Sequence, residues 1–479
     1  MNKLLRILLA TTLLVGLSGT NTDDLKLPNL GEVSGTVFSA EKEHRLGRAW
    51  LRMFRGQVPT SDDPLLADYF DSLIFRLATF SQVQDRRLSV VVVDNQSLNA
   101  FAVPGGVIGV HTGLLVQAES EDEVSAVLAH ELAHLSQRHF SRGIEAQQRN
   151  ATLNMAGMLA GLVLIATTGS DAGLAALTAT QAAALESRLR YSRGHEQEAD
   201  RIGMQTMVEA GMDPHAVPTM FERMLKAARY YGRHIPEFLL THPVTESRIA
   251  DTKNRARKYP RTVKTNNLEY HLMRARARLA HADDPQVAAQ DFRTSLRGKG
   301  KSPEADRYGL ALALNQAGQY EQAAAELAPL LAHDPGRLAY IIAQSEIDIE
   351  SGHPDEAAKT LLEMLQLTPG NYPLGMTYAK ALLRDNRAHV AEEVLLDLSK
   401  RRPTEPAIWY ILAEAQGLSG NILGLHQSRA EFFILRGVLD EATRQLEYAL
   451  KLTERNYQET EEIRQRIQDV LSMQNDMEL

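Results

Sequence analysis

The residues with the clearest capacity for chemistry are His130, Glu131 and His134, in the run His130-Glu131-Leu132-Ala133-His134. On an α-helix, positions i and i+4 differ by about 40° in azimuth, so both imidazoles leave one face and can share a metal ion. Glu131, next to the first imidazole, can reach a water on that metal. Such a pair suits zinc, and the interposed carboxylate suits proton transfer in hydrolysis. The surroundings predict the helix that this chemistry needs. Ser120 with Glu123 forms a capping box, and Val124, Val127, Leu128, Leu132 and Leu135 make an apolar stripe at helical spacing.

Two histidines need a third ligand. Gln137 and Phe140 stand where the metzincin pattern requires Gly and His, so that class is excluded. The next candidates lie in Glu196-Gln197-Glu198-Ala199-Asp200. Glu196 and Glu198 are about 200° apart on a helix, so they compete for the ligand position, while Asp200 shares the face of Glu196. An HExxH helix followed by ExxAD resembles the zincin family that includes the CaaX prenyl proteases and the heat-shock membrane protease HtpX. That resemblance implies one Zn²⁺ per chain on His130, His134 and Glu196. It also implies a catalytic Glu131, and an Asp200 that orients a ligand imidazole from behind. Asn99-Ala100-Phe101-Ala102-Val103-Pro104-Gly105-Gly106 looks like the family's edge strand. Asn99, Ala100, Phe101 and Ala102 would there bind an extended substrate through its backbone. Thr241-His242-Pro243 with Arg248 looks like its THP…R element. It implies that His242 approaches the metal, either to support the oxyanion or to bind the metal and displace water. His139, five residues past His134, points off the ligand face of a continuing helix, and with His111, His195 and His234 it reads as structural.

Composition narrows the remaining choices. The 479 residues contain no cysteine, which excludes disulfides, thiol nucleophiles and cysteine-held metals, so any metal rests on His, Asp and Glu. A formal charge of -8 excludes a broad nucleic-acid surface. Hydrophobic residues at 44% and charged residues at 23% are the balance of a globular chain. Lys3 and Arg6, the apolar run Ile7 to Val15 and the small residues Gly16 and Ser18 read as a cleaved export signal over 1–18. Its removal takes the formal charge from -8 to -10. A run of 14 small and apolar residues, Met155 to Thr168, and the Ala-rich 172–185 are too short for a span. They form core or a lid, or contact a membrane peripherally.

The elements that position the chemistry fall into two halves. Leu88 to Val110 is β-branched with Asp94-Asn95 and Pro104-Gly105-Gly106 turn signals, which predicts a small antiparallel sheet beside long helices. Tyr259 to Asn267 is polar and aperiodic, a linker. Beyond it, Gly318, Gly352, Asn386 and Gly420 recur every 34 residues, as do Pro335, Pro369 and Pro403, with Ala323, Ala357 and Ala391 in phase. That period is the tetratricopeptide helix–turn–helix. Repeats 302–335, 336–369 and 370–403 are clear, and degenerate units follow from 404. The fold class is therefore mainly α: an α+β zincin-type metalloprotease domain over 19–258, then an α-solenoid of tetratricopeptide repeats over 268–479.

This combination resembles the β-barrel assembly-enhancing protease family of Gram-negative envelopes. The resemblance implies a periplasmic zinc endopeptidase with chaperone-like action. Its clients would be outer-membrane β-barrel proteins that stall in assembly, and its repeats would dock on the β-barrel assembly machinery. The competing expectation is a tetratricopeptide scaffold or chaperone whose zincin domain is degenerate.

Overall fold

The computed structural model describes residues 39–147, 193–231, 236–261, 267–298, 300–453 and 456–478. The expected export signal, the apolar segment 155–185 and His234 lie outside the described residues.

Helix α1 (Ala40–Gln57) starts at Ser39, whose hydroxyl accepts from the Lys42 amide. Helix α2 (Pro64–Thr79) starts at Asp63, whose carboxylate accepts from the Leu65 and Leu66 amides, with Pro64 at the first helical position. Three short strands follow: β1 (Ser89–Val93), β2 (Ala100–Val103) and β3 (Val107–His111). The β2–β3 hairpin is antiparallel, as expected, but β1 pairs with β3 in parallel, and the order is β1-β3-β2. The sheet is thus mixed rather than wholly antiparallel. The cause is the link 94–99, which crosses the end of β3 instead of folding back on β1. Bonds from the His111 amide to the Asn99 carbonyl (3.1 Å) and from the Gly113 amide to the Asn95 carbonyl (2.8 Å) hold that crossing. The hairpin turn needs glycine: Gly105 has φ +84°, and a Cβ there would strike the Glu43 carbonyl of α1.

Among the described residues, the peptidase half continues with α3 (Thr112–Gln117), α4 (Glu121–Ser136), α5 (His139–Gln147), α6 (Arg193–Glu209), α7 (Ala216–Tyr231), α8 (Glu237–Thr241) and α9 (Glu246–Ala256). Helix α4 begins at Ser120, whose hydroxyl accepts from the Glu123 amide, and three acidic residues fill its first turn, where the helix dipole favours them. Its apolar side, including Val124, Leu128 and Leu132, is fully buried. Helix α6 crosses α4 at Gly203. A Cβ at Gly203 would come within 3.0 Å of the Ala129 carbonyl and the His130 amide. The glycine lets the two backbones approach closely enough to bring Glu196 and Asp200 to the histidines.

From Leu268 the described chain is paired helices, including Pro303–Gln316 with Tyr320–His333, Leu338–Glu350 with Pro354–Leu367, and Tyr372–Arg384 with Ala388–Arg401. The turn residues Gly318, Gly352, Asn386 and Gly420 all have positive φ, which explains why the 34-residue marker is Gly or Asn. Ala323, Ala357 and Ala391 are fully buried between paired helices. The array folds back onto the peptidase half. The Tyr270 hydroxyl donates to the Ala118 carbonyl at 2.8 Å, and Arg402 reaches Asp68 and Asp71 of α2 at 2.8 and 2.7 Å. Half-buried Arg276 bridges Asp63, the N-cap of α2, and Glu346 of a repeat helix. Between α2 and the repeats lies a concave cavity of about 1280 Å³, lined by Asp63, Arg276, Glu346, Tyr410, Glu414 and Arg436 among others.

The close α4–α6 crossing yields a test. Gly203→Val forces the helices apart and is expected to cost about 2 kcal/mol of stability, within the range for overpacking. It should also lower metal affinity, because it moves Glu196 and Asp200 away from the histidines. Urea unfolding and chelator competition measure the two effects. Unchanged metal affinity in the folded variant would contradict the role given to the crossing.

Candidate metal centre

Helix α4 ends its buried stretch with His130, Glu131 and His134, all nearly inaccessible to solvent. His130 Nε2 and His134 Nε2 face one another at 3.0 Å, the juxtaposition that the i, i+4 spacing demands. Helix α6 brings Glu196 against them, with its carboxylate 3.6 Å from His130 Nε2 and 3.5 Å from His134 Nε2. His242, at the C-terminal end of α8, completes the group: its Nδ1 lies 3.0 Å from Glu196 and its Nε2 lies 3.6 Å from Glu131. One ligand atom from each of His130, His134, Glu196 and His242 falls within 4.8 Å of the others. Glu198, the competitor for the ligand position, faces away and meets His139 and Arg142 instead.

The residues present fit a metal ion. Two oxygens of buried Glu131 accept no hydrogen bond, although burial of a bare carboxylate is costly. Imidazole nitrogens and one carboxylate, converging without a cysteine, are the donor set of hydrolytic zinc sites.

Charge around the cluster is arranged for a cation. Asp200 Oδ1 sits 3.1 Å from His130 Nδ1, on the side of the ring away from the cluster. Arg248 grips Asp200 with two bonds, 2.8 Å from Nε and 2.7 Å from Nη2, and its Nη1 lies 2.8 Å from Glu196. Burial alone would push the His130 imidazole down, but Asp200 and Glu196 outweigh it and hold its pKa up to about 9. Burial pushes Glu131 up, and the His242 and His130 rings only partly offset that. Burial, then the neighbouring His130 and His242 rings, hold His134 well below the usual histidine range. Burial opposes ionisation of Glu196, yet His242 and His130 bring it well below the usual carboxylate range. Carboxylates that raise a neighbouring imidazole this far form a pocket that stabilises positive charge.

The edge strand is placed beside this centre with a qualification. Strand β2 pairs only with β3 among the described residues, so its other edge carries no strand. The Ala102 backbone lies beside the Glu131 carboxylate. Phe101, however, is turned into the core with Trp50 and Phe54, and its ring lies over Gly109. Asn99 precedes the strand, is buried, and donates from Nδ2 to Glu237 of α8 at 3.2 Å. The strand can therefore offer backbone groups near Ala100 and Ala102, but not these two side chains. The crevice between Ala102 and His134 has a volume of only about 20 Å³, room for about one water. Phe238 stacks on His242, with ring centroids 4.8 Å apart.

Two residues emerge that reasoning along the chain placed differently or left without a role. Arg248 was part of a resemblance, and in space it is the buried cation that holds Asp200. His139 does not continue the α4 helix. The helix stops at Ser136, and Arg138 takes a left-handed conformation, φ +49°. The chain turns and brings His139 Nδ1 to 2.9 Å from His134 Nδ1. Burial pulls the His139 ring down to about 4 against the opposing pull of Glu198. The signal that could have revealed this is the polar Ser-Gln-Arg run after Leu135, which breaks the apolar stripe.

Asp200→Asn keeps the shape but removes the charge behind His130. It is expected to weaken metal binding by about 10- to 100-fold, the usual cost of losing a carboxylate behind a ligand histidine. Competition with a chromogenic chelator measures this, and an affinity equal to that of the unmodified chain would refute the arrangement.

The geometry accords with what similar proteins show. Residues 64–256 match Peptidase family M48, and residues 348–415 match a tetratricopeptide repeat family. A beta-barrel assembly-enhancing protease of Escherichia coli O157:H7 is 34% identical over 417 residues, which cover 87% of this chain and 85% of that one. A putative beta-barrel assembly-enhancing protease of Vibrio cholerae is 33% identical over 434 residues, covering 90% and 89%. A mitochondrial metalloendopeptidase OMA1 of Schizosaccharomyces pombe is 32% identical over 189 residues, covering 38% of this chain and 50% of that one. With a buried His/Glu cluster on an M48 scaffold and similarity along both halves, the chain belongs to the beta-barrel assembly-enhancing protease family of M48 metallopeptidases.

Proposed function

We propose that this metallopeptidase is a periplasmic zinc-dependent endopeptidase with chaperone-like activity. It acts in assembly and quality control of outer-membrane β-barrel proteins and degrades clients that stall or misassemble. The observation that carries the reading is the intact cluster of His130, His134, Glu196 and His242 beside the buried Glu131 carboxylate. An intact cluster also counts against the degenerate scaffold. The relatives' names, the expected export signal and the absence of cysteine support the compartment and the client class. No helix among the described residues is long and apolar enough to cross a membrane.

His130, His134 and Glu196 would hold the zinc ion, which when bound supplies Lewis-acid activation of a water and of the scissile carbonyl. Glu131 takes the proton of the attacking water and returns it to the leaving amine. Its position beside the Ala102 backbone puts this proton transfer next to a substrate strand added to β2. Asp200 and Arg248 fix the His130 ring, and Glu43 closes the crevice mouth through Arg138 and Ser141.

His242 decides whether the centre is at work or at rest. Its imidazole lies inside the ligand cluster, buried, and the neighbouring crevice admits no peptide. This favours latency: His242 fills the position that an attacking water needs, until a client or partner draws α8 away. A closed protease can bind clients without cutting them, which accounts for the chaperone-like part of the proposal. The cavity between α2 and the repeats offers both charge signs and the exposed Tyr410 ring to a protein partner, such as the assembly machinery or a client.

Glu131→Gln should abolish client cleavage, a loss of at least about 10²- to 10⁴-fold, while metal stays bound. Residual cleavage near the unmodified rate would reject Glu131 as the proton carrier. His242→Ala should increase degradation of a misassembled β-barrel client in a purified assay. Lost cleavage in that variant would instead give His242 the oxyanion role.

A further inference from the structure

His139 reads as structural along the chain and Glu198 yields the ligand position to Glu196, yet the two meet each other behind His134. His139 has a fully buried side chain and is fixed on three sides. Its Nδ1 lies 2.9 Å from His134 Nδ1, its Nε2 lies 3.1 Å from Glu198 Oε2, and its ring stacks on His195 at 4.4 Å with planes 9° apart. Arg142 holds Glu198 in place at 3.0 Å.

We propose that His139 is a positioning residue for the metal centre, and that Glu198 acts through it. His139 fixes the tautomer and ring orientation in which His134 presents Nε2 to the ion. The inference rests on the reading of His134 as a metal ligand.

The proton assignment follows from the geometry. His134 Nε2 faces His130 and Glu196, so as a ligand it must carry a lone pair there and its proton on Nδ1. That Nδ1–H meets His139 Nδ1, which accepts only if the His139 proton sits on Nε2. There it finds the Glu198 carboxylate, a pure acceptor. The opposite assignment would put the His139 proton between the two Nδ1 atoms and a proton of His134 on Nε2, where the ion must bind. Glu198 selects the productive arrangement because it can accept but not donate. The two ligand histidines are therefore held differently. His130 is backed directly by a carboxylate, and His134 by a neutral imidazole with a carboxylate behind it. A ligand imidazole whose second nitrogen is held binds its metal more tightly.

The test uses the full mature chain, zinc as the probe and chelator competition as the readout, with unfolding of the zinc-free form followed in parallel. His139→Ala should weaken zinc binding about 10- to 100-fold. His139→Asn, whose side-chain oxygen can accept from His134 Nδ1–H, should recover most of that affinity. Glu198→Ala should weaken binding by less than His139→Ala, and should add nothing in a chain that already carries His139→Ala. If His139→Ala binds zinc as tightly as the unmodified chain, the proposal is overturned. It is overturned equally if His139→Asn is as weak as His139→Ala, which marks a merely structural loss. The same holds if the Glu198→Ala penalty persists undiminished without His139. A folded, unmodified chain that takes up no zinc would remove the zinc-peptidase reading itself, which separates that failure from failure of this inference.

Discussion

Three carboxylates, those of Glu131, Glu196 and Asp200, are buried around the same group of histidines, and this is the constraint that the rest of the structure serves. Buried charges of one sign are tolerable only when opposite charge and hydrogen bonds accompany them. Part of the opposite charge is built in: Arg248 spans Asp200 and Glu196. Part is left to the imidazoles: Asp200 and Glu196 raise His130 against its burial, the direction expected of a pocket that favours a cation. A structural core would not be assembled from such groups, since apolar residues of similar volume pack there at lower cost. The arrangement makes sense as a seat for a metal ion.

Holding that seat together requires close approach rather than many elements. Gly203 lets α6 press against α4 at His130, and Gly105 lets the β2–β3 turn press against α1. The left-handed Arg138 and the short α8 then bring His139 and His242 to the centre from outside the two main helices. The repeats are joined to this framework by buried or half-buried contacts through Arg276, Arg402 and Tyr270, all to segments of the peptidase half. Helices α2 and α4 also share one apolar core with the repeats through Leu73, Leu128, Tyr270 and Leu310. The repeats and the elements that carry the site are thus packed as one body at this junction.

Much of this was legible along the chain because it depends on local periodicity. The i, i+4 histidines, the capping box at Ser120 and the 34-residue recurrence of left-handed turn residues each follow from helix geometry alone. The choice of Glu196 over Glu198 came from the ExxAD resemblance and not from periodicity, since spacing only says that the two diverge, and in space the crossing at Gly203 brings Glu196 to the histidines. His139 was misplaced because a helix was continued through Arg138, and one positive φ redirects everything after it. The parallel pairing of β1 was hidden for a similar reason: strand propensity does not say whether a short link folds back or crosses a neighbour's end. Arg248 has no local signature as a counter-charge, for its partners are 48 and 52 residues away in sequence.

On the proposed function, a centre closed by His242 would constrain how clients are recognised. Phe101 is committed to the core with Trp50 and Phe54, and Asn99 to Glu237, so β2 offers little side-chain chemistry to a substrate. What remains is a backbone edge next to Glu131, and backbone hydrogen bonding reads extension rather than sequence. On the proposed function this suits β-barrel clients, whose strands carry unpaired edges only while assembly is incomplete. A finished barrel has no such edge to offer, so strand pairing by itself separates stalled from completed clients. Recognition by edge is permissive, however, and any unfolded chain can present one. On the same proposal the roughly 20 Å³ crevice and the buried His242 would supply the second condition, with pairing at β2 leading to cleavage only if α8 also gave way. Asn99 and Glu237 link the start of β2 to the start of α8, so the strand proposed to receive the client is tied to the segment proposed to move.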